Sequence, residues 1–213
     1  YPADATGNIV QSSPVDLQLD SADQPPVATG QGLGTFQGVK ANVNLDSRST
    51  TKTWVPAPAA ATVWSPDPSS YNWSTALSVF DTLGNPHTLS LYAVKTLTAG
   101  QWDIHATVDG TSDRNVVPGG GPLGTLAFDT SGILTGTGII AASIDLGSVM
   151  SDLGSVNSAA TPLAFNINFN GSSQFGSTFG ANRLEQDGYA SGRLTSVSVA
   201  GDGVIRGNYS NGQ

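Results

Sequence analysis

From Ala76 to Thr96 the chain alternates apolar and polar positions on both sides of a break at Gly84-Asn85-Pro86. Leu77 and Val79 stand opposite Ser78 and Phe80, and Leu89, Leu91 and Ala93 stand opposite Ser90, Tyr92 and Val94. Side chains leave a pleated backbone on alternate faces, so a period of two predicts strands and the break predicts a hairpin. In that break glycine takes positive φ without strain, asparagine tolerates it, and proline ends strand pairing. Val39 to Leu45 alternates in the same way. So do Gln101 to Val108, with Trp102, Ile104, Ala106 and Val108 on the apolar face, and Leu163 to Phe169. Further hairpins are predicted at Leu126–Leu134, turning at Asp129-Thr130-Ser131-Gly132, and at Leu194–Asn208, turning at Gly201-Asp202-Gly203. Val15, Leu17 and Leu19 suggest one short strand, and Ile144–Val156 a helical turn or two.

Between the strands, Asp46–Tyr71 carries Pro56, Pro58, Pro66 and Pro68. Each proline removes a ladder donor, so an extended surface segment is expected, with Trp54, Val63 and Trp64 tucked onto the core. Thr29–Gly38 and Asp109–Gly124 read as glycine-rich loops. With 26 Gly and 12 Pro in 213 residues, the composition favours short strands and turns over long helices. The length suits one large all-β domain or two smaller β-rich domains, sandwich- or barrel-like. Composition shifts near Leu45 and Asn170 mark the candidate junctions.

Charge and cysteine narrow the function classes. The formal net charge is −8, and the eight Lys and Arg residues form no cluster, so a nucleic-acid groove has no electrostatic footprint. No apolar run reaches the roughly 18 residues of a membrane helix. The absence of cysteine excludes disulfides, thiolate metal sites and a cysteine nucleophile. Tyr1 is not a natural start, and the chain is expected to be an excised fragment.

Candidate chemistry is sparse. His87 and His105 lie near acidic residues, but one follows a turn and the other falls on a strand's polar face, so solvated side chains are expected. The glycines at 30–38 and 136–138 open no helix and lack the Lys-Ser/Thr of a phosphate loop. The turns at 129–132 and 201–203 lack the ordered oxygen ligands of a calcium loop. Trp102 belongs to the core by its alternation, whereas Trp54, Trp64 and Trp73 could form a sugar-stacking platform. That makes a surface-exposed, carbohydrate-binding β-domain the alternative function. No catalytic, cofactor-binding or metal-ligating residue is assigned.

Several stretches together resemble the bacterial flagellar hook protein family. They are Leu77 through Lys95 (LSVFDTLGNPHTLSLYAVK), Ser173-Gln-Phe-Gly-Ser, Asn182 through Gly192 (NRLEQDGYASG), and the closing Asp202 through Gln213 (DGVIRGNYSNGQ). Tyr1-Pro2-Ala3 is similar to the point where the family chain leaves its first inner-domain portion. The resemblance implies a structural subunit, without catalytic activity or cofactor, of the flexible joint that transmits motor torque to the filament. It implies an inner domain from residues 1–44 and 172–213 and an inserted outer β-domain over 45–171. The implied partners are other copies of the chain and the hook cap, rod and hook–filament junction proteins, with no nucleic acid and no membrane. Implied too are extracellular localisation in the hook and export without a cleaved signal peptide. Without the terminal polymerisation segments, the 213 residues are expected to be monomeric.

Overall fold

A computed structural model describes residues 23–34, 37–201 and 203–213. The short strand expected at Val15–Leu19 lies outside the described residues. The chain divides into two compact units, one of residues 25–191 and one of residues 1–24 with 192–213. The fold is all-β.

In the larger unit, β2 (Trp73–Phe80), β3 (Pro86–Lys95), β4 (Gln101–Val108) and β5 (Gly124–Ala127) form an antiparallel meander in that spatial order. The register aligns the alternating positions: Leu77 faces Leu89, Leu89 faces Val108, Leu91 faces Ala106, and Trp102 faces Leu126. One face of the meander is thus apolar at these positions, as the sequence predicts. Pro86 does not end the pairing. It is the first residue of β3 and pairs with Phe80, a position where its missing N–H is tolerated.

The second face is covered as well. The proline-rich segment contributes no strand, only an isolated bridge from Val63 to Thr111. It is held along the meander by Lys52 N–H to the Lys95 carbonyl at 3.1 Å and Trp64 N–H to Gly110 at 2.9 Å. Trp54 and Trp64 are half-buried, but Val63 is 70% exposed, contrary to expectation. Ala57, Pro66 and Ser70 are the residues of this segment that are buried. Their cover explains why β4 is buried on both faces from Ile104 to Val108.

The second sheet has the order β6 (Ile139–Ile144), β7 (Leu163–Asn168), β1 (Val39–Asn44), β8 (Gly180–Gln186). β1 runs parallel to β7 and antiparallel to β8, while β6 is antiparallel to β7. Gly38 permits this approach. Its φ is +109°, and a Cβ there would lie 2.2 Å from the Asn166 carbonyl oxygen. Between β6 and β7, α1 (Leu146–Asp152) is capped by the Asp145 carboxylate, which accepts from Ser148 N–H, and it buries Leu146 and Val149. The apolar side chains of both sheets and α1 form one hydrophobic cluster.

The expected junctions at 44/45 and 171/172 lie inside the larger compact unit. A cut at 44/45 would sever β1 from β7, its hydrogen-bonded neighbour. The segment after β7 is not a crossing between units either: Leu45 N–H donates to Ser173 and Ser173 N–H to Val43, each at 2.9 Å, continuing the parallel pairing on the β7 side of β1. The compact unit instead begins at Pro25 and ends at Ser191.

In the smaller unit, β9 (Leu194–Val199) and β10 (Ile205–Tyr209) form the predicted hairpin, with Ile205 opposite Val199 and Tyr209 opposite Leu194. Gln24 and Gly192 exchange backbone hydrogen bonds of 2.7 and 3.0 Å.

Candidate functional site

The two histidines are the groups with the most capacity for chemistry, and neither is solvated. In the β2–β3 register His87 lies opposite Val79, on the apolar side of the meander, and it is 3% exposed. Its Nδ1 is 2.7 Å from Oδ2 of Asp109, at the end of β4, and its Nε2 is 3.5 Å from Oδ2 of the fully buried Asp81. Hydrogen bonding to Asp109 raises the His87 pKa, and burial opposes this only in part.

Asp81 owes its burial to the turn it organises. Its Oδ1 accepts from the backbone N–H groups of Leu83 and Asn85, and its Oδ2 from the side-chain amides of Asn85 and Asn157. Burial pushes its pKa up, but these four donors outweigh it and hold the carboxyl below its ordinary value. Asn157 lies between α1 and β7, so one carboxylate ties the hairpin turn to a loop of the other sheet. Ala160 N–H donates to Thr82 Oγ1 at 2.9 Å beside it. Both His87 nitrogens face carboxylates and neither faces a hydroxyl, so the cluster is no nucleophile–base relay. Its chemistry is that of a buried charged clasp.

His105 lies on the other face of the meander, under the proline-rich segment. Trp54 stacks on it with ring centroids 4.2 Å apart and 14° between planes. Desolvation lowers its pKa to about 4, so the ring is neutral at pH 7. Among the described residues its buried Nδ1 has no hydrogen-bond partner. Trp54 donates its indole N–H to Asp113 Oδ2 at 2.9 Å, and Asp113 Oδ1 accepts from Ala57 N–H at 3.2 Å. Asp113, 1% exposed, thereby fixes the cover over β4. It opens a single 3-10 turn, Asp113–Asn115, in a segment whose sequence gives no sign of the role.

The tryptophans are engaged within the protein. Trp64 meets the edge of Trp54 at 5.7 Å, Trp73 stacks on Phe179 at 6.5 Å, and the buried Trp102 donates to Gln174 Oε1 at 2.7 Å. A cleft of 530 Å³ opens beside Trp54 and His105, but one Trp54 face is on His105 and its indole donor is on Asp113. This arrangement does not support a sugar-stacking platform. The two turns considered as calcium loops are closed by their own backbone, with Gly132 N–H bonded to Asp129 and Gly203 N–H to Ala200. Among the described residues no group of three or more His, Asp or Glu side chains could hold a metal ion.

Residues 44–189 match the family described as the flagellar basal body protein FlaE D2 domain. The chain belongs to the flagellar hook protein family. The matched span opens on the last residue of β1 and includes every later strand of the larger unit. Over its whole length the chain is 29% identical to the flagellar hook protein FlgE of Escherichia coli, covering 47% of it. It is 28% identical to FlgE of Salmonella typhimurium, covering 52%. The chain therefore spans about half the length of the curated relatives it matches. The crystal structure of Helicobacter pylori flagellar hook protein FlgE2 is also similar, with a TM-score of 0.42 and 16% identity over 68% of this chain and 30% of that one.

Proposed function

We propose that this chain is the central portion of a structural hook subunit that assembles with copies of itself into the flexible tubular joint between flagellar motor and filament, without catalytic activity. The observation that carries the reading is the alignment of its whole length with hook proteins of two organisms. In the intact organelle its further partners are the hook cap, rod and hook–filament junction proteins. It works outside the cell, having been exported without a cleaved signal peptide.

The two units take different parts in this reading. Residues 25–191 are the inserted outer domain, and residues 1–24 with 192–213 belong to the inner one. The paired Gln24 and Gly192 bring the ends of the insertion side by side, as an inserted domain requires. A bending joint needs subunits that keep their shape while their contacts slide. The single hydrophobic cluster of residues 25–191 supplies the rigidity. Exposed Ser, Thr and Asn side chains supply wet contacts that re-form cheaply.

The test is genetic. Residues 25–191 are replaced by a short Gly-Ser linker between Gln24 and Gly192 in the full-length protein. Hooks of altered curvature or bending and reduced motility are expected; normal hooks and motility would overturn the proposed role. The 213-residue chain alone is expected to sediment as a monomer, and to polymerise once the flanking sequence of the full-length protein is restored.

A further inference from the structure

The chain holds two Asn-Gly pairs, Asn170-Gly171 and Asn211-Gly212, and the fold treats them differently. Asn170 and Gly171 are exposed in the turn that follows β7. Among the described residues, no hydrogen bond engages the Asn170 carboxamide or the Gly171 N–H. The Asn170 backbone is held on either side, by its N–H to Asn168 Oδ1 at 2.9 Å and by its carbonyl to Asn42 Nδ2 at 3.5 Å. At the other pair the nucleophile and the amide are both occupied. Gly212 N–H donates to the Tyr209 carbonyl at 3.1 Å, Asn211 Nδ2 donates to Gln24 Oε1 at 3.3 Å, and Asn211 Oδ1 accepts from Gln213 N–H at 3.2 Å.

We infer that Asn170 is a site of spontaneous covalent modification, converting to aspartate and isoaspartate faster than Asn211. The Gly171 amide nitrogen loses its proton and attacks Asn170 Cγ. The new N–Cγ bond closes a five-membered succinimide as the Cγ–Nδ2 bond breaks and ammonia leaves with the proton. Water then adds to either ring carbonyl and breaks one ring C–N bond, giving an ordinary aspartyl link or an isoaspartyl link. The net change is amide plus water to carboxylic acid plus ammonia. Glycine matters because the attack needs backbone angles that a Cβ would obstruct, and Gly171 already has φ +84°. Asparagine is among the thermolabile residues for this reason. The isoaspartyl link adds a methylene to the backbone just before Ser172, whose buried hydroxyl accepts from Val43 N–H at 3.1 Å and donates to the Ala41 carbonyl at 3.2 Å.

The folded 213-residue chain is incubated in warm, mildly alkaline buffer and digested, and the two Asn-Gly peptides are followed by mass spectrometry and isoaspartate labelling. The Asn170 peptide is expected to convert several-fold faster than the Asn211 peptide, and N170Q to abolish its conversion. In strong denaturant the two rates are expected to converge, since both pairs are Asn-Gly and the folded contacts that set them apart are gone. An intact Asn170, equal rates in the folded chain, or a bias that persists in denaturant would each overturn the inference.

Discussion

The two four-stranded sheets of residues 25–191 are built by opposite strategies. In the meander β2–β5, sequence neighbours are spatial neighbours, and each strand pairs with the next, β2 to β3 and β3 to β4 through short connections and β4 to β5 through the 109–123 loop. In the sheet β6–β7–β1–β8, the central strand β1 pairs with segments more than a hundred residues away. The first sheet can form locally, whereas the second needs the whole unit closed before its pairings lower the free energy. A domain that must not come apart gains from this, because the non-local sheet locks the ends of the local one together.

The largest predicted effect comes from the contact that couples the two. Trp102 sits in the meander, fully buried, and donates to Gln174 in the segment bound to β1. W102A is expected to cost about 4 kcal/mol of stability through lost burial and the cavity left behind. If the two sheets form one cooperative unit, hydrogen-exchange protection falls together in both; loss confined to β2–β5 would break the comparison in favour of two independent layers.

Asp81 gives the next effect. D81A removes the acceptor for four donors and leaves His87 one carboxylate, at an expected cost of about 3 kcal/mol in chemical denaturation. D81N keeps the shape but loses the charge, and is expected to fall between the two. A cost below about 1 kcal/mol for D81A would mean that the clasp between the hairpin turn and the Asn157 loop contributes little.

The smallest effect is a pH dependence specific to the covered face of the meander. His105 has a folded pKa near 4 against 6.5 when unfolded, so folding favours its neutral form. Its contribution is present above pH 6.5 and is lost as pH falls toward 4, about 2 kcal/mol between pH 7.5 and 5. His87 has the opposite sign. Its raised pKa gives stability that is full below 6.5 and is lost as pH rises through the folded value. The difference between wild type and H105F across this range isolates His105, and H105F is expected to lose less stability on acidification. Equal acid sensitivity would place the responsible group elsewhere.

Legibility in the sequence follows the same division. The 76–96 hairpin, the Trp102 strand and the closing hairpin were plain because alternation and turn residues are local signals. β6 was hidden, since Ile139-Ile140-Ala141-Ala142 has no period of two in its chemistry although its burial alternates. β8 is a polar edge strand, Gly-Ala-Asn-Arg-Leu-Glu-Gln, and only its pairing with β1 makes it a strand. Without β8, β1 lacks its antiparallel partner, and no local signal shows that its other neighbour is β7, more than a hundred residues away. The burial of the two histidines is legible to different degrees. His105 lies on a polar face that a distant proline-rich segment covers, a tertiary fact. His87 was readable, because it shares the parity of Leu89 and Leu91 and so had to point inward.

The central claim is that residues 25–191 form one self-contained domain carrying both sheets. Its most direct test is to express residues 25–191 and residues 45–171 separately and to follow urea unfolding by tryptophan fluorescence and circular dichroism. Residues 25–191 are predicted to unfold in a single cooperative transition at which both signals coincide, while residues 45–171, without β1 and β8, show none. Cooperative unfolding of residues 45–171 at a comparable urea concentration would contradict the account.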